Sequence, residues 1–410
     1  MFDLIFSVSY LDDSSPVRGL LPQPSSTKFH ATSPTITSSP PIITRDELIN
    51  SVISLLNDED HEHSHLHPPI DALKSAADFF HDSTHFARAY VESCLVPFAG
   101  PCSPSLWKAF TSSFERPFSD NEFITINNTS KAINPNSGQL EDCFLISESN
   151  KYCIVKFNTT KITLPRGAVD FPVDDDRLIA VGLPCGTNPF SKLKDQAPIH
   201  KYWRSRFSLF SRFEEGIMTD RQGLFSITPE VIALHVAKRI RNFINDGLII
   251  DCTACVGGNT ISFAHSGKVL AVDIDIVKLN CLLSNSIIYD VSHNIDVLHG
   301  SCLEILSSFQ LASTSPYCLY FAPEWAGPSY SNQAVFCAAQ LVPSLISISI
   351  IVKKLCPRLL VLALPRNIAI NTVVDFAKAI SFKGTVEFEQ NVVLGNIKTV
   401  HVYYWFDGCE

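Results

Sequence analysis

Short apolar runs alternate with amphipathic stretches through the second half of the chain. Five of these runs predict strands, at residues 247–251, 268–275, 294–300, 317–322 and 358–364. Helical spacing lies between them, most clearly from Asn259 onward and over residues 276–289. This alternation predicts an α/β fold, in which a parallel sheet carries helices on both faces. Two last runs, residues 385–393 and 399–406, predict an antiparallel pair that closes the sheet.

The pattern in the first half is weaker. Residues 1–43 contain a long run rich in Ser, Pro and Thr, and we expect this segment to be disordered because it cannot bury enough apolar surface. A capping box at residues 44–47 predicts a helix that reaches about Leu56. Residues 70–80 and 84–95 predict two further short helices.

A hairpin is predicted near the end of this first half. Residues 143–149 and 152–157 read as two strands, and Asn150 and Lys151 lie between them. With the three helices before it, the hairpin predicts a small, separate α+β appendage over residues 44–195. Nothing in this appendage indicates its chemistry.

Composition narrows the class of protein. The formal net charge is −9, so any contact with RNA would have to come from a local basic patch. The chain is 46% hydrophobic, which is enough for a sizeable core. Its 13 cysteines are scattered, and this favours reduced, buried thiols of an intracellular protein over a disulfide framework. Several of them stand in apolar runs: Cys143, Cys153, Cys281, Cys318 and Cys337.

Secretion, membrane insertion and metal binding are not favoured. The N-terminus lacks a basic leader, and charges interrupt the most apolar stretch, residues 341–364. Four alternate histidines, His61, His63, His65 and His67, could bind a metal. Alternate spacing beside acids is more typical of a solvated loop, so we predict no metal site.

A glycine-containing turn follows the first predicted strand of the sheet. Asp251 ends that strand, and Gly257 and Gly258 precede the next helix. Asp273 and Asp275 close the following strand, where an acid can bind a ribose diol. Together these features indicate a nucleoside cofactor. A structural turn followed by a helix cap is the simpler alternative, and the turn alone is a weak signal.

The stretch FAPEWAGPSY, residues 321–330, leaves the fourth strand at the edge where such sheets bind ligands. Trp325 is placed to stack on a base, and a cationic base such as 7-methylguanine would add a cation–π attraction. Glu324 could accept hydrogen bonds from N1–H and N2 of guanine, or could be a solvated loop carboxylate. Pro323, Glu324 and Trp325 are the candidate catalytic residues.

Basic and aromatic residues are interleaved over residues 201–230. Such interleaving suits a nucleotide that carries phosphates. An amphipathic helix with a solvated charged face explains the same pattern, and taken alone it is the stronger explanation.

The motifs KYWRSRFSLFSRFEEGI, FSITPE, CVGGNTISFA, AVDIDIVK, WAGPSY, LPRN and EQN…KTV occur in this order over about residues 201–406. In this half the chain resembles the RNA cap guanine-N2 methyltransferases, the trimethylguanosine synthases. The resemblance implies a Rossmann-like class I methyltransferase domain at residues 247–410 and a helical cap-binding extension at 196–246. It also implies methylation of N2 of a 7-methylguanosine cap on small nuclear and nucleolar RNAs.

Specific residue roles are implied by this resemblance. The cofactor would be S-adenosylmethionine, bound by five residues: Ser226, Thr228, Asp251, Gly257 and Asp273. The cap would be held by five others: Lys201, Asn285, Trp325, Tyr330 and Arg366. The expected partners are capped RNA and ribonucleoprotein proteins, with no membrane, and the expected location is the nucleus, including nucleolar or Cajal-body-like compartments.

Four positions depart from the family pattern. Cys255 replaces the leading glycine of the turn, and Ser301 stands where an acid would bind the adenine amine. Ala322 and Glu324 replace Ser and Pro of the family's SPPW. Two hypotheses follow: a working cap methyltransferase, or a weakened or inactive homologue that binds the cap or acts as a scaffold. A generic small-molecule methyltransferase is a distant third.

Overall fold

A computed structural model describes residues 3–11, 123–173, 177–184, 188–192, 197–309 and 316–406. Its largest element is an eight-stranded sheet with the order β1-β13-β14-β12-β11-β8-β9-β10. The strands of this sheet are β1 Asp3–Leu11, β8 Leu248–Asp251, β9 Val269–Asp273, β10 Ile295–His299, β11 Tyr317–Phe321, β12 Leu359–Pro365, β13 Gly384–Val393 and β14 Asn396–Phe406.

Helices connect these strands and cover both faces of the sheet. In chain order they are α1 Ala197–Arg204, α2 Arg206–Leu209, α3 Arg221–Ser226, α4 Glu230–Ile244, α5 Gly258–Ala264, α6 Ile276–Ile288, α7 Cys302–Ser308, α8 Leu345–Leu355 and α9 Ile370–Ala379. Two hydrophobic clusters, one on each face, form the core. The predicted α/β architecture is therefore confirmed, including the antiparallel pair β13–β14.

The direction of the strands determines where a ligand can bind. Strands β8 to β12 run parallel, and only β14 is antiparallel to its neighbours. Without β1, this is the sheet of a class I methyltransferase. The carboxyl ends of β8, β9, β11 and β12 therefore meet at one edge. Ligands bind at this edge in open α/β sheets, and the residues that follow these strands are candidates for a site.

The N-terminal strand β1 differs from the prediction of disorder for residues 1–43. Residues 3–11 pair in parallel with residues 385–393 of β13 and extend the sheet by one strand. The sequence DLIFSVSYL has the apolar alternation of a strand, and pairing with β13 satisfies the backbone groups of that edge. Residues 12–43, the three predicted helices of the appendage and the four alternate histidines lie outside the described residues.

A second, antiparallel sheet of four strands precedes the methyltransferase domain. It consists of β2 Ile124–Ile133, β3 Leu140–Glu148, β4 Tyr152–Phe157 and β5 Thr160–Pro165. The β3–β4 pair is the predicted hairpin. One face of this sheet is apolar and joins the core through Cys143, Leu145, Cys153, Val155 and Leu164.

Short elements link this sheet to the methyltransferase domain. Strand β6, Ile179–Val181, pairs with β7, Met218–Asp220, which lies within the helical extension between α2 and α3. Residues 197–246 contain the helices α1 to α4 and the one short strand β7. Among the described cysteines, the predicted burial is found for Cys143, Cys153, Cys281 and Cys318, but Cys337 is exposed. None of the helices in the described ranges is long and apolar enough to span a membrane.

Candidate active site at the carboxyl edge of the sheet

The turn after β8 is built on a buried carboxylate. Asp251 has no exposed surface, and its Oδ2 accepts a hydrogen bond from Thr260 Oγ1 at 2.6 Å. Burial raises the pKa of Asp251 to about 7, although the bonds from Thr260 and Thr253 oppose this shift. The predicted direct contact with a cofactor does not fit a carboxylate that no ligand can reach. Asp251 instead positions the turn by holding the first residues of α5.

The backbone of this turn adopts left-handed conformations. Gly257 has φ of +97° and lies at the N-cap of α5, and a Cβ there would come within 3.0 Å of Leu282. Cys255, at the position of the family's leading glycine, has φ of +50°. A side chain in this region costs roughly 1–2 kcal/mol, which glycine avoids. The backbone N–H of Cys255 donates to Asp273 Oδ2 at 2.7 Å, and this bond ties the turn to the end of β9.

Asp273 lies at the end of β9, beside the turn. Its Oδ1 accepts from the backbone N–H of Asp275 at 2.9 Å, and its Oδ2 accepts from Cys255. Burial raises the pKa of this carboxyl group, and the two backbone donors oppose the shift. Each oxygen retains a lone pair, so the carboxylate can still accept from a ligand hydroxyl.

Asp275 has a different role from the one its position predicts. It caps α6 by accepting from Val277 N and Lys278 N, and it accepts from the guanidinium of Arg177. Arg177 also binds Asp220, which caps α3 by accepting from Gly223 N at 2.6 Å. Burial raises the pKa of Asp275, but the hydrogen bond and charge of Arg177, together with Lys278, lower it, and the net shift is downward. Arg177 thus joins two helix starts beside the turn.

Ser226 and Thr228 flank the same turn from the helical extension. Thr228 is buried and accepts from Asn259 Nδ2 at 3.1 Å, while Oδ1 of that asparagine is buried without a partner among the described residues. Ser226 is exposed at the end of α3, and its hydroxyl donates to the carbonyl of Gln222 at 3.0 Å. Thr228 therefore contacts α5, and the roles of both residues in cofactor binding stay predictions.

The loop after β11 is tied to the turn after β8. The backbone N–H of Ala322 donates to Thr253 Oγ1 at 2.8 Å. Pro323 is buried and Trp325 is half-buried, with its ring edge-on to Tyr330 at a centroid distance of 5.2 Å. The indole Nε1 is buried and has no partner in the described parts of the chain. The predicted cofactor turn and the predicted base-stacking loop are thus adjacent.

Both the side chain and the backbone of Glu324 are hydrogen-bonded within the protein. The sequence does not predict these contacts. The backbone of Glu324 forms a two-residue bridge with Val342, and its Oε1 accepts from Gln222 Nε2 at 2.7 Å. Lys278 Nζ donates to Gln222 Oε1 at 3.0 Å and lies 3.9 Å from Glu324 Oε1. The side chain of Glu324 is still 56% exposed, so it is both anchored and accessible.

Lys278 is the buried cation of this site. Burial lowers its pKa, but nearby acids that include Asp220, Asp273 and Asp275 more than offset this effect, so the pKa is raised. A charged ammonium therefore lies between the acids near the turn and Glu324. Gln222, Lys278 and Arg177 are site residues that the sequence reasoning missed. A lysine on a strongly apolar helix was the available signal for Lys278.

Residues predicted to hold cap phosphates and ribose surround Trp325. Arg366 is exposed directly after β12, and Lys201 is exposed on α1. Burial raises the pKa of both Tyr202 and Tyr330, and the charge of Arg366 partly offsets each shift. Contacts of neighbouring residues agree with the proximity of the two tyrosines and the arginine: Asn367, next to Arg366, donates to the carbonyl of Tyr330 at 3.3 Å, and Tyr202 packs edge-on against Phe225 of α3. The structure thus brings α1, the segment after Trp325 and the end of β12 to one place.

Asn285 is the exception among the predicted cap contacts. It is fully buried in α6, and its amide bonds the backbone of Met218 on both sides, at 2.7 and 2.9 Å. The same amide donates to Val256 O at 2.9 Å. With its hydrogen-bonding capacity used in this way, Asn285 braces β7 and the turn, and it offers nothing to a cap.

The strand order and the adjoining turns define a class I methyltransferase. A family model described as RNA cap guanine-N2 methyltransferase matches residues 246–406. Trimethylguanosine synthase of Schizosaccharomyces pombe is 36% identical over 172 residues, which are 42% of this chain and 69% of that protein. The chain belongs to the RNA cap guanine-N2 methyltransferase family.

The chain is also similar to a second curated relative and to a solved structure. Trimethylguanosine synthase of Saccharomyces cerevisiae is 32% identical over 188 residues, and the match spans 44% of this chain and 59% of that protein. Among solved structures, a human methyltransferase 10 domain containing protein is 15% identical with a TM-score of 0.33, over 44% of this chain and 85% of that chain. The fold class follows from the strand order of the main sheet.

Proposed function

We propose that this chain methylates the exocyclic N2 of a 7-methylguanosine RNA cap with S-adenosylmethionine as methyl donor. The observation that carries the proposal is the hydrogen bond between Ala322 N and Thr253 Oγ1, which holds the base-stacking loop against the cofactor turn. Membership of the cap methyltransferase family supports the same reading. Small nuclear and nucleolar RNAs would be the substrates, in the nucleus.

The residues of the turn fit S-adenosylmethionine. Asp273 retains a lone pair on each oxygen for a ribose diol, and the buried Oδ1 of Asn259 has no hydrogen-bond partner among the described residues. When bound, this cofactor would supply an electrophilic methyl group on a sulfonium. Ser301, at the start of α7, lies where the family has an acid, so the adenine amine would lose one charged acceptor.

The protein's own contribution to methyl transfer would be positioning. Trp325 would hold the purine by stacking, and Tyr330 and Arg366 would hold the ribose and phosphates. Among the described residues of this site, the accessible base is the carboxylate of Glu324, which is only a weak base. Accurate placement of a weakly nucleophilic amine can supply a large part of the acceleration. Glu324, with half of its side chain accessible, could accept from N1–H and N2 of the guanine.

Transfer of labelled methyl from S-adenosylmethionine to 7-methylguanosine diphosphate tests the proposal. We expect labelled N2-methyl product, and much less from guanosine diphosphate because its ring is not cationic. Asp273→Ala should abolish most of the transfer, because a charge-assisted hydrogen bond to the ribose is lost. Equal labelling of both nucleotides, or none of either, would contradict the proposal.

A cap reader without turnover is the second candidate. The contact of Glu324 with Gln222 favours this candidate. A carboxylate that is held in place beside the amine can accept hydrogen bonds from N2 and so fix the amine in an unreactive position. Changing Ala322→Ser together with Glu324→Pro restores the family tetrapeptide. A reader should then gain methyl transfer and lose some affinity for 7-methylguanosine diphosphate. If neither quantity changes, Glu324 does not face the base.

A further inference from the structure

The outer face of the four-stranded sheet carries an aromatic residue among lysines. Cys143, Leu145, Cys153 and Val155 point into the core, so the residues between them point outward. Phe144 on β3 is one of these outward residues, and it is 40% exposed. An exposed aromatic ring offers a flat apolar surface on which another ring can stack.

The strand register places this ring in a row across the sheet. Thr129 on β2 pairs with Phe144, Phe144 pairs with Lys156 on β4, and Lys156 pairs with Lys161 on β5. Side chains directly opposite each other lie about 5 Å apart. Phe144 therefore has one lysine as its direct neighbour and a second lysine one strand further.

The charge of this face is opposite to that of the molecule. Lys131 on β2 adds a third exposed lysine, with Asp142 as its cross-strand partner. None of the ion pairs among the described residues involves Lys131, Lys156 or Lys161. In a chain with a formal net charge of −9, this is a local basic patch. A polyanion is its complementary partner.

We propose that this face binds single-stranded RNA, with one base stacked on Phe144 and phosphates beside Lys131, Lys156 and Lys161. The inference rests on the proposed function, since the RNA would be the body of the capped substrate. Aromatic residues on an exposed sheet among basic residues are a general means of holding unpaired nucleotides. Lysines are depleted at protein–protein interfaces, so a protein partner fits the face less well.

The sheet also lies beside the predicted cap-binding extension. Pro165, at the end of β5, lies against Gly216, where an added Cβ would come 3.1 Å from the proline Cβ. Lys151, in the β3–β4 turn, pairs with Asp290, which Arg212 of the extension also contacts. An RNA held at its cap by residues near Trp325 could therefore continue along the extension onto this face.

The test compares three ligands by fluorescence anisotropy on the full chain: a short capped single-stranded RNA, the same RNA without a cap, and 7-methylguanosine diphosphate. Phe144→Ala should weaken both RNAs by about tenfold and leave the nucleotide unchanged. Lys156→Gln with Lys161→Gln should reduce the slope of log affinity against log salt by roughly 0.7 for each lysine. Lys378→Gln with Lys383→Gln, which removes two exposed lysines elsewhere, is the matched control.

Loss of RNA affinity in the face variants but not in the control supports the proposal. Unchanged affinity for both RNAs, or an equal loss in the control, overturns it. Phe144→Trp provides a second measurement. The fluorescence of the introduced tryptophan should be quenched by the uncapped single-stranded RNA and not by an RNA duplex of the same sequence. Uncapped RNA separates the two proposals: a face that binds it stands even if the wild type transfers no methyl group to a cap.

Discussion

Asp251 gives the fold a pH dependence that can be measured. Its pKa is raised by burial from an ordinary value near 4 to about 7, so the folded state binds the proton more tightly than the unfolded state. The free energy of unfolding therefore decreases as the pH rises from about 4 to 7. Asp251→Asn removes this titration, and its stability relative to wild type should rise across that window by about 1.4 kcal/mol for each unit of pKa shift.

Urea unfolding of both proteins at several pH values measures this difference. His401, whose pKa burial lowers to about 4, has the opposite dependence in an overlapping window, and it cancels when the two proteins are compared. A difference between Asp251→Asn and wild type that is flat with pH would mean that the carboxylate is not held in a desolvated position.

Trp325 should determine discrimination between methylated and unmethylated guanine. Trp325→Ala should weaken 7-methylguanosine diphosphate by about 1–3 kcal/mol and lower its preference over guanosine diphosphate. Trp325→Phe keeps a smaller ring and should keep part of the preference. Calorimetry with both nucleotides gives the ratio. Because the ring also packs on Tyr330, an equal loss for both nucleotides would indicate a packing role instead.

At the level of single residues, the sequence located the site better than it assigned the roles. Glycine turns and acids at strand ends are local signals, so the turn at Asp251 and the position of Asp273 could be predicted. Burial depends on what packs above a residue. Asp251 and Asn285 were therefore given ligand contacts that their surroundings do not allow. The bond between Glu324 and Gln222 joins residues about a hundred positions apart, and no local pattern reports it.

Among the elements, α3 and α6 start beside each other because Arg177 pairs with both of their capping carboxylates. Arg177→Gln would leave the carboxylates of Asp220 and Asp275, which are little exposed, without their guanidinium partner. This loss should cost about 3 kcal/mol of stability. Affinity for S-adenosylmethionine should fall as well, since Asp275 N also binds Asp273. Urea unfolding and calorimetry measure the two effects.

The control for Arg177 is an ion pair that is fully in solvent. Lys378→Gln breaks the contact between Lys378 and Asp375, both more than 60% exposed, and should change stability by less than about 0.5 kcal/mol. If Arg177→Gln costs no more than this control, the loop that carries Arg177 does not position the two helices.

The elements of the methyltransferase sheet were predictable because buried parallel strands are short apolar runs. Strands β8 to β13 match their predicted ranges within about two residues, and β14 begins three residues before its predicted start. Strand β1 was missed, since nine residues next to a Ser- and Pro-rich segment carry little signal by themselves. Its partner β13 lies near the other end of the chain, and only tertiary structure reveals the pairing.

For the whole molecule, β1 protects the edge of the main sheet. A chain without residues 1–11 would expose the backbone groups of β13 and lose the bonds from Ser7 to Glu387 and from Ser9 to Glu389. Exposed edges pair with other chains. We expect the truncated chain to associate with rising concentration, as measured by sedimentation. Adding a peptide of residues 1–11 should reverse the association, and a truncated chain that stays monomeric would contradict this role.

Strand β1 also sets an order of events during synthesis. Ser7 and its partner Glu387 are separated by 380 residues, so β1 is synthesised long before the strand with which it pairs. Closing so long a loop is slow compared with the local contacts between β3 and β4. The edge of the sheet is therefore covered only after β13 has been made, and until then β1 has no partner strand to pair with.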